Sequence, residues 1–202
     1  MAVEYTGRLE EDHRYYNRIY ARKGGYNTTR FQPIYDVVLD WLVRFPQRQD
    51  LSILEVGCGN GALGEQIIGL IADDTLRATY NGFDFSQAGI NRCPNRVKKS
   101  VWCGSAYDRE TWVAHNRNFT CVIAVEVFEH LDDHRILKYI PARTRVIFSV
   151  PNFDSKSHLR TYPDTDSVQA YYRGKLGINA VVKIQTSDTK AILVCDAIRQ
   201  RD

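Results

Sequence analysis

The stretch from Ile53 to Ile67 reads ILEVGCGNGALGEQI and leaves few folds open. An apolar run ends on glycine, glycine returns at every second position (57, 59, 61), and a helix-like spacing of apolar residues follows. Such a pattern is a strand passing through a tight turn into a helix, the start of a βαβ unit. Backbone this rich in glycine also lets a ligand approach closely.

The same alternation runs along the chain. Short apolar runs stand at 51–56 (LSILEV), 78–84 (ATYNGFD), 100–104 (SVWCG), 119–126 (FTCVIAVE), 145–150 (RVIFSV), 178–184 (INAVVKI) and 190–197 (KAILVCDA). Residues 8–23 and 30–45 read as helices, the second with Ile34, Val37, Val38, Trp41 and Leu42 on one side; KGGYNTT between them reads as a turn or joint. Strands alternating with helices predict an α/β fold, a Rossmann-like seven-stranded and mostly parallel sheet with helices on both faces. Only QTSDT separates the last two strands, too little for a crossover helix, so they form an antiparallel hairpin. In open α/β sheets ligands sit beyond the carboxyl ends of the strands.

At 202 residues the chain reads as one domain, with residues 1–29 as an N-terminal arm over the site and 30–202 as the core. A hydrophobic fraction of 44% supports a packed interior. No apolar run approaches the ~18 residues of a membrane span. The opening MAVEYTGRLEEDHRYY has no apolar core of a signal peptide, so the expected location is cytoplasmic. The five cysteines contain no C-x-x-C pair for zinc or redox chemistry, and Cys121 and Cys195, set in apolar runs, read as buried. A net charge of +3 permits a polyanionic partner without requiring one, although residues 135–175 carry eight Lys/Arg against three Asp/Glu.

Which ligand the glycine loop holds follows from its neighbours. A P-loop needs G-x-x-x-x-G-K-[ST], and no such lysine is present. The dinucleotide fingerprint G-x-G-x-x-G would place the third glycine one position later than Gly61. Glu55 just ahead of Gly57 would oppose a pyrophosphate but suits an ammonium or sulfonium group. Asp84, at the end of the next strand, is placed to accept both hydroxyls of a ribose, although Asp84 or Ser86 would also serve as a helix N-cap.

Taken together, Glu55-Val-Gly57-Cys-Gly59-Asn-Gly61, Asp84 in GFDFS, Gly104-Ser105-Ala106-Tyr107-Asp108 and Glu126-Val-Phe-Glu129-His130-Leu resemble a class I, seven-stranded S-adenosylmethionine-dependent methyltransferase across roughly residues 30–198. The resemblance implies S-adenosylmethionine as cofactor. It implies contacts to it from Glu55, Gly57, Cys58, Gly59, Gly61, Asp84, Phe85, Ser105, Ala106, Tyr107, Glu126 and Tyr20.

EVFEHLDDH supports three roles. His130, with Glu126, is a general base for the acceptor, since an imidazole titrates near neutrality. Alternatively, Glu-x-x-Glu-His resembles the metal-dependent small-RNA 2′-O-methyltransferases, with Glu126, Glu129, His130 and His158 as ligands. In the third role Glu129 and His130 cap or orient the following helix, as in small-molecule methyltransferases that bind no metal. The leading expectation has no metal, and His134 reads as a solvated helix residue.

The polar segment after the fifth strand, VPNFDSKSHLRTYPDTD, and the N-terminal tyrosines are the expected acceptor walls, with Tyr16, Tyr26, Asn152, His158 and Arg160 as substrate contacts. DNA amino-methyltransferases of the superfamily carry [DNS]-P-P-[FY] where this chain has VEVFEH, and no DNA target-recognition domain is expected. With no large insertion between strands, the expected acceptor is a small molecule bearing an O or N nucleophile. RNA is the alternative acceptor, and a non-catalytic cofactor-binding subunit is the non-enzyme alternative.

Overall fold

The computed structural model describes residues 2–22, 28–44, 50–114 and 118–201. Its strands are β1 (Glu4–Tyr5), β2 (Leu51–Val56), β3 (Ala78–Asp84), β4 (Val101–Cys103), β5 (Cys121–Ala124), β6 (Arg145–Pro151), β7 (Arg160–Thr161), β8 (Leu176–Gln185) and β9 (Ala191–Arg199). Its α-helices are α1 (His13–Ala21), α2 (Gln32–Arg44), α3 (Ala62–Ala72), α4 (Gln87–Arg92), α5 (Asn95–Lys98), α6 (Arg109–Val113), α7 (Asp133–Ile136) and α8 (Thr165–Tyr171). The expected seven-stranded sheet is present in the order β4-β3-β2-β5-β6-β9-β8, and β1 with β7 makes a separate two-stranded sheet. By compactness the chain divides into two units, Asp12–Ile123 and Met1–Glu11 with Ala124–Asp202. Among the described residues no helix is long and apolar enough to cross a membrane.

In the unit Asp12–Ile123, β2 pairs parallel with β3 and β5, and β3 pairs parallel with β4. Leu51, Ile53, Leu54 and Val56 of β2 are all buried, so both faces of this strand are covered, as parallel strands require. Phe83 meets Trp112 edge-on with ring centroids 5.4 Å apart, and Trp112 lies 6.1 Å from Phe119. In α2 the buried residues are Ile34, Tyr35, Val38 and Leu42. The apolar face is therefore turned toward Tyr35 from the expected one, and Val37 and Trp41 are half-buried at its edge.

The helix expected over 8–23 is shorter. Asp12 accepts the N–H groups of Arg14 and Tyr15 and starts α1 at His13. Before it, Gly7 has φ of 73°, which turns the chain out of β1. Residues Glu4 and Tyr5 are thus extended, pairing with Thr161 and Arg160.

In the unit that includes Ala124–Asp202, all seven residues of β6 are buried. β9 pairs antiparallel with both β6 and β8, so it is the antiparallel strand that the short QTSDT connection predicted. A ring cluster fills this interior: Phe148 lies 5.1 Å from Phe128 and 5.0 Å from Tyr172, and Tyr162 stacks on Tyr172 at 6.1 Å. Arg145 and Asp196 of the same unit are buried as an ion pair, with Nε–Oδ1 at 2.6 Å.

Candidate functional site: a glycine loop and a carboxylate–histidine cluster

In the unit Asp12–Ile123, β2 feeds the glycine loop. Gly57, Gly59 and Gly61 have φ of 70°, 56° and 75°. All three occupy the left-handed region, where a Cβ costs roughly 1–2 kcal/mol. The N–H groups of Gly57 and Cys58 both reach Phe83 O, at 2.8 and 3.0 Å, tying the loop to β3. Asp84 completes the tie: Oδ2 accepts from Gly59 N (2.9 Å) and Oδ1 from Ser86 N (2.7 Å). An ionised carboxylate offers about four acceptor positions, so each oxygen keeps capacity for a further donor. Asp84 is 6% exposed, and burial pushes its pKa up to about 6 against the two N–H groups. Ser86, not Asp84, is the N-cap of α4, accepting Gly89 N–H at 3.2 Å.

Glu55 is fixed by a residue the sequence reading missed. Counting back by twos from Asp84 along β3 puts Gly82 and Tyr80 on one face, and Gly82 stands opposite Glu55 in the strand register. The Tyr80 hydroxyl donates to Glu55 Oε2. Two glycines make room for it. A Cβ on Gly64 would lie 2.5 Å from Tyr80 Cζ, and one on Gly82 would lie 2.9 Å from the hydroxyl oxygen. Burial pushes the Glu55 carboxyl up to about 7 in spite of the Tyr80 bond. A glycine facing an acid across adjacent strands was the signal available in the sequence.

α1 packs over this loop. Asn17 Oδ1 accepts from Ser86 Oγ (2.7 Å) and Ala88 N (3.1 Å), and Arg92 donates to Ala21 O at 3.2 Å. The Tyr16 ring lies 5.1 Å from Phe85. Tyr20 is buried against Gly59, where a Cβ would come within 3.3 Å of its Cζ and nearer still to its oxygen. In the segment after β4, Tyr107 N–H meets Ser105 Oγ at 3.2 Å, and Ala106 O accepts from Trp112 Nε1 at 2.8 Å. Cys58 is buried, and Cys93 Sγ reaches Gly59 O at 3.6 Å. Tyr26 and the Gly24–Gly25 joint lie outside the described residues.

The unit that includes Ala124–Asp202 holds the second cluster. The strand expected over 119–126 stops at Ala124, because Glu126 adopts φ of 56°. This left-handed conformation, unusual for a non-glycine residue, is held by Ser149. Its Oγ accepts from Glu126 N (2.8 Å) and donates to Glu126 Oε1 (2.9 Å). A single 3₁₀ turn, Phe128–His130, follows.

Glu129 is fully buried, and neither carboxylate oxygen has a hydrogen-bond partner. Burial pushes its pKa up to about 8 against the nearby Arg160 guanidinium. His130 Nδ1 lies 2.9 Å from Ser157 O, and His158 Nδ1 lies 3.0 Å from Phe153 O. A carbonyl only accepts, so the neutral rings carry their proton on Nδ1 and a lone pair on Nε2. Burial lowers the pKa of His130, and burial together with His130 takes His158 down to about 4. Glu129, His130 and His158 each bring one ligand atom within 4.8 Å of the others. Among the described residues Glu126 is not part of that group.

Three expectations are corrected here. Glu129 caps no helix: Asp132 caps α7, accepting from Arg135 N at 3.2 Å. His134 is not solvated but half-buried, stacked on Tyr171 at 4.4 Å. Arg160, counted in the basic segment and expected at the acceptor wall, is drawn inside. It is 4% exposed, donates to Phe128 O (2.9 Å) and Leu131 O (2.7 Å), and pairs with Asp133 at 3.0 Å. Asn152 spends its side chain on the start of β9, accepting from Ala191 N at 2.6 Å and donating to Thr189 O at 3.4 Å.

By sequence, residues 26–172 match the model of a family described as a methyltransferase domain. No curated protein matches the chain. By structure it is similar to the N-methyltransferase NodS from Bradyrhizobium japonicum WM9, solved with S-adenosyl-L-homocysteine: 14% identity over 94% of this chain and 98% of that one, TM-score 0.68. It is also similar to magnesium protoporphyrin IX methyltransferase (ChlM) from Synechocystis PCC 6803, solved with bound S-adenosyl-homocysteine: 15% identity over 92% and 94%, TM-score 0.65. The [4+2]-cyclase SpnF is a third, at 10% identity over 90% and 86%, TM-score 0.64. At these identities the likeness is one of fold.

Proposed function

The chain belongs to the methyltransferase-domain family, and from that premise we propose that it is a cytoplasmic S-adenosylmethionine-dependent methyltransferase acting on an oxygen or nitrogen nucleophile of a small molecule. One observation carries the reading. Three left-handed glycines form one loop, and the middle one, Gly59, donates to a buried Asp84 whose two oxygens each retain acceptor capacity, with Glu55 buried on the neighbouring strand. The solved methyltransferases NodS and ChlM, both holding S-adenosylhomocysteine, support the choice of cofactor. A [4+2]-cyclase shares the fold, so the fold by itself does not specify the reaction.

Bound in such a loop, the cofactor supplies a methyl group already activated by a sulfonium, and its transfer is an in-line displacement. The protein's part is alignment and, where the acceptor needs it, removal of a proton. Asp84 would accept the ribose hydroxyls, and the Glu55 carboxylate would favour the cationic portion. The glycines would admit the ligand to van der Waals contact with backbone. His130, with Nδ1–H fixed on Ser157 O, offers an unprotonated Nε2 as base. The charge excess that pointed to RNA shrinks in the fold, since Arg145 and Arg160 are buried in ion pairs.

Calorimetric titration with S-adenosylhomocysteine tests the cofactor. One-to-one binding in the micromolar range is expected; no heat from a demonstrably folded protein would remove the reading. A non-catalytic subunit would bind equally well yet turn over only with a second protein present, which an acceptor screen with labelled S-adenosylmethionine resolves.

The acids also set a pH dependence. Asp84 and Glu55, raised to about 6 and about 7, ionise in the folded protein only as pH climbs through those values, so affinity for S-adenosylhomocysteine should rise with pH across that window. Stability of the ligand-free protein should move the opposite way. Carboxyls whose folded pKa exceeds the unfolded value stabilise below the latter and lose that contribution as pH rises through the folded one. Above the ordinary histidine value of 6.5 the lowered His158 adds no opposing slope. Thermal midpoints should therefore fall from pH 6.5 toward 8 as Glu55 and then Glu129, near 8, ionise. Midpoints that rise over that interval would contradict the buried neutral carboxyls.

A further inference from the structure

β3 supplies more to the glycine loop than Asp84. Gly82 and Tyr80 share that carboxylate's face of the strand, and the Tyr80 hydroxyl donates to Glu55 Oε2 on β2. Both side chains are buried. Among the described residues the Tyr80 hydroxyl is the sole hydrogen-bond donor to the Glu55 carboxylate, and Glu55 is the sole acceptor of that hydroxyl. The other titratable groups bearing on the carboxylate are Asp84 from β3, Cys58 from the loop and Cys93 from the end of α4. None of them is a cation. A buried carboxylate with one neutral donor and no counter-ion is incomplete, and a positively charged ligand completes it.

The fold reserves a slot for this donor. A Cβ on Gly64 of α3 would lie 2.5 Å from Tyr80 Cζ, and one on Gly82 would lie 2.9 Å from the hydroxyl oxygen. Burial, with the Glu55 charge beside it, pushes the Tyr80 hydroxyl well above its ordinary range, so it keeps its proton throughout the neutral range. A hydrogen bond to an ionised acceptor is about twice as strong as one to a neutral acceptor, so a fixed O–H favours the charged carboxylate over the protonated one. It also pins Oε2 and leaves Oε1 for a ligand.

We propose that Tyr80 is the positioning residue for Glu55, and that the pair sets the site's preference for a positively charged ligand. The inference rests on the methyltransferase reading and adds to it a source of cofactor selectivity. S-adenosylmethionine and S-adenosylhomocysteine both carry an ammonium group, and the former also a sulfonium. 5′-Methylthioadenosine keeps the adenosine and the thioether and has neither cation. The pair therefore acts on the first two ligands and is indifferent to the third. Burial holds the Glu55 carboxyl at about 7 without ligand, so a cationic ligand expels its proton on binding near neutrality. Removing the Tyr80 hydroxyl moves that ionisation to higher pH, because the donor that favoured the anion is gone.

The parent, Tyr80→Phe, Glu55→Gln and the double variant are titrated in a calorimeter with S-adenosylhomocysteine and with 5′-methylthioadenosine, at pH 7 and pH 8.5. Circular dichroism and thermal melts establish that each protein is folded. With ionisation of Glu55 made roughly tenfold harder, Tyr80→Phe should weaken S-adenosylhomocysteine roughly 5-fold at pH 7 and less than ~2-fold at pH 8.5. Its affinity for 5′-methylthioadenosine should match the parent's. Glu55→Gln should weaken S-adenosylhomocysteine at both pH values, and adding Tyr80→Phe to it should cost nothing further. The proposal falls if Tyr80→Phe binds S-adenosylhomocysteine as the parent does, if it weakens both ligands equally, if its loss is as large at pH 8.5, or if the two substitutions add. Should Tyr80→Phe fail to fold, the parent decides. Heats in buffers of different ionisation enthalpy should show about half a proton released at pH 7 with S-adenosylhomocysteine and almost none with 5′-methylthioadenosine, and equal release overturns the proposal. A folded parent that binds neither ligand overturns the methyltransferase reading itself, whereas a parent that binds, followed by any of the failures above, overturns this proposal alone.

Discussion

Replacing Asp84 with alanine should weaken S-adenosylhomocysteine binding at least ~100-fold. Each hydrogen bond from a ribose hydroxyl to an ionised carboxylate contributes about 1.5–3 kcal/mol, and two of them reach the ~2.7 kcal/mol that corresponds to two decades in Kd. The substitution also strips Gly59 N and Ser86 N of their acceptor in a place that is 6% exposed. The loop therefore loses its anchor to β3 as well as the ligand contact. Asp84→Asn separates the two contributions. The amide oxygen can replace one acceptor, but the amide nitrogen then confronts a second N–H group, so binding should fall nearly as far. Thermal melts accompany the titrations, because a collapsed protein would give the same null heat. An Asp84→Ala protein that is folded and binds S-adenosylhomocysteine like the parent would refute ribose recognition by this carboxylate.

Gly64→Ala should destabilise the protein by about 2–4 kcal/mol, although helix propensity points the other way. In a helix interior, alanine is better than glycine by roughly 1 kcal/mol, and Gly64 lies within α3. The deciding quantity is space. The new Cβ would come 2.5 Å from Tyr80 Cζ and 2.9 Å from Cε1, and Tyr80 is itself buried with its hydroxyl on Glu55. Ring and helix cannot both stay. Overpacking of this kind costs about 1–3 kcal/mol or more, and the displaced Tyr80–Glu55 bond adds to it. At roughly 2–4 °C per kcal/mol for a chain of this size, the midpoint should drop by about 5–15 °C. Gly69 provides the internal control: it lies in the same helix with nothing within 4 Å of its would-be Cβ. Gly69→Ala should therefore raise the midpoint by a few degrees. If Gly64→Ala were stabilising as well, the Tyr80 slot would not be as tight as described.

Some of this was legible before any coordinates. The glycines of ILEVGCGNGALGEQI announced a tight strand-to-helix turn, and all three adopt positive φ. The five residues QTSDT excluded a crossover, and β8 and β9 are antiparallel. Other readings missed for identifiable reasons. The strand at 119–126 looked continuous because Glu126 and Val125 fit its pattern, while Ser149, far away in sequence, holds Glu126 in a left-handed turn. The helix at 8–23 looked continuous because charged and aromatic residues spaced well, yet the Asp12 carboxylate stops it at its first possible turn. Arg160 counted toward a basic surface, but Asp133 and two carbonyls draw it inside.

The sequence by itself determined the succession of strands and helices, the glycine turn and the antiparallel finish. Each rests on physics that acts within a few residues: allowed φ, side-chain period and the reach of a short connection. Only the tertiary structure decided that β9 runs between β6 and β8, that Tyr80 occupies the gap left by Gly64 and Gly82, and that His158 comes beside Glu129 and His130. Those outcomes depend on which distant groups share a buried volume, and the compensation of a buried charge is settled there, not along the chain.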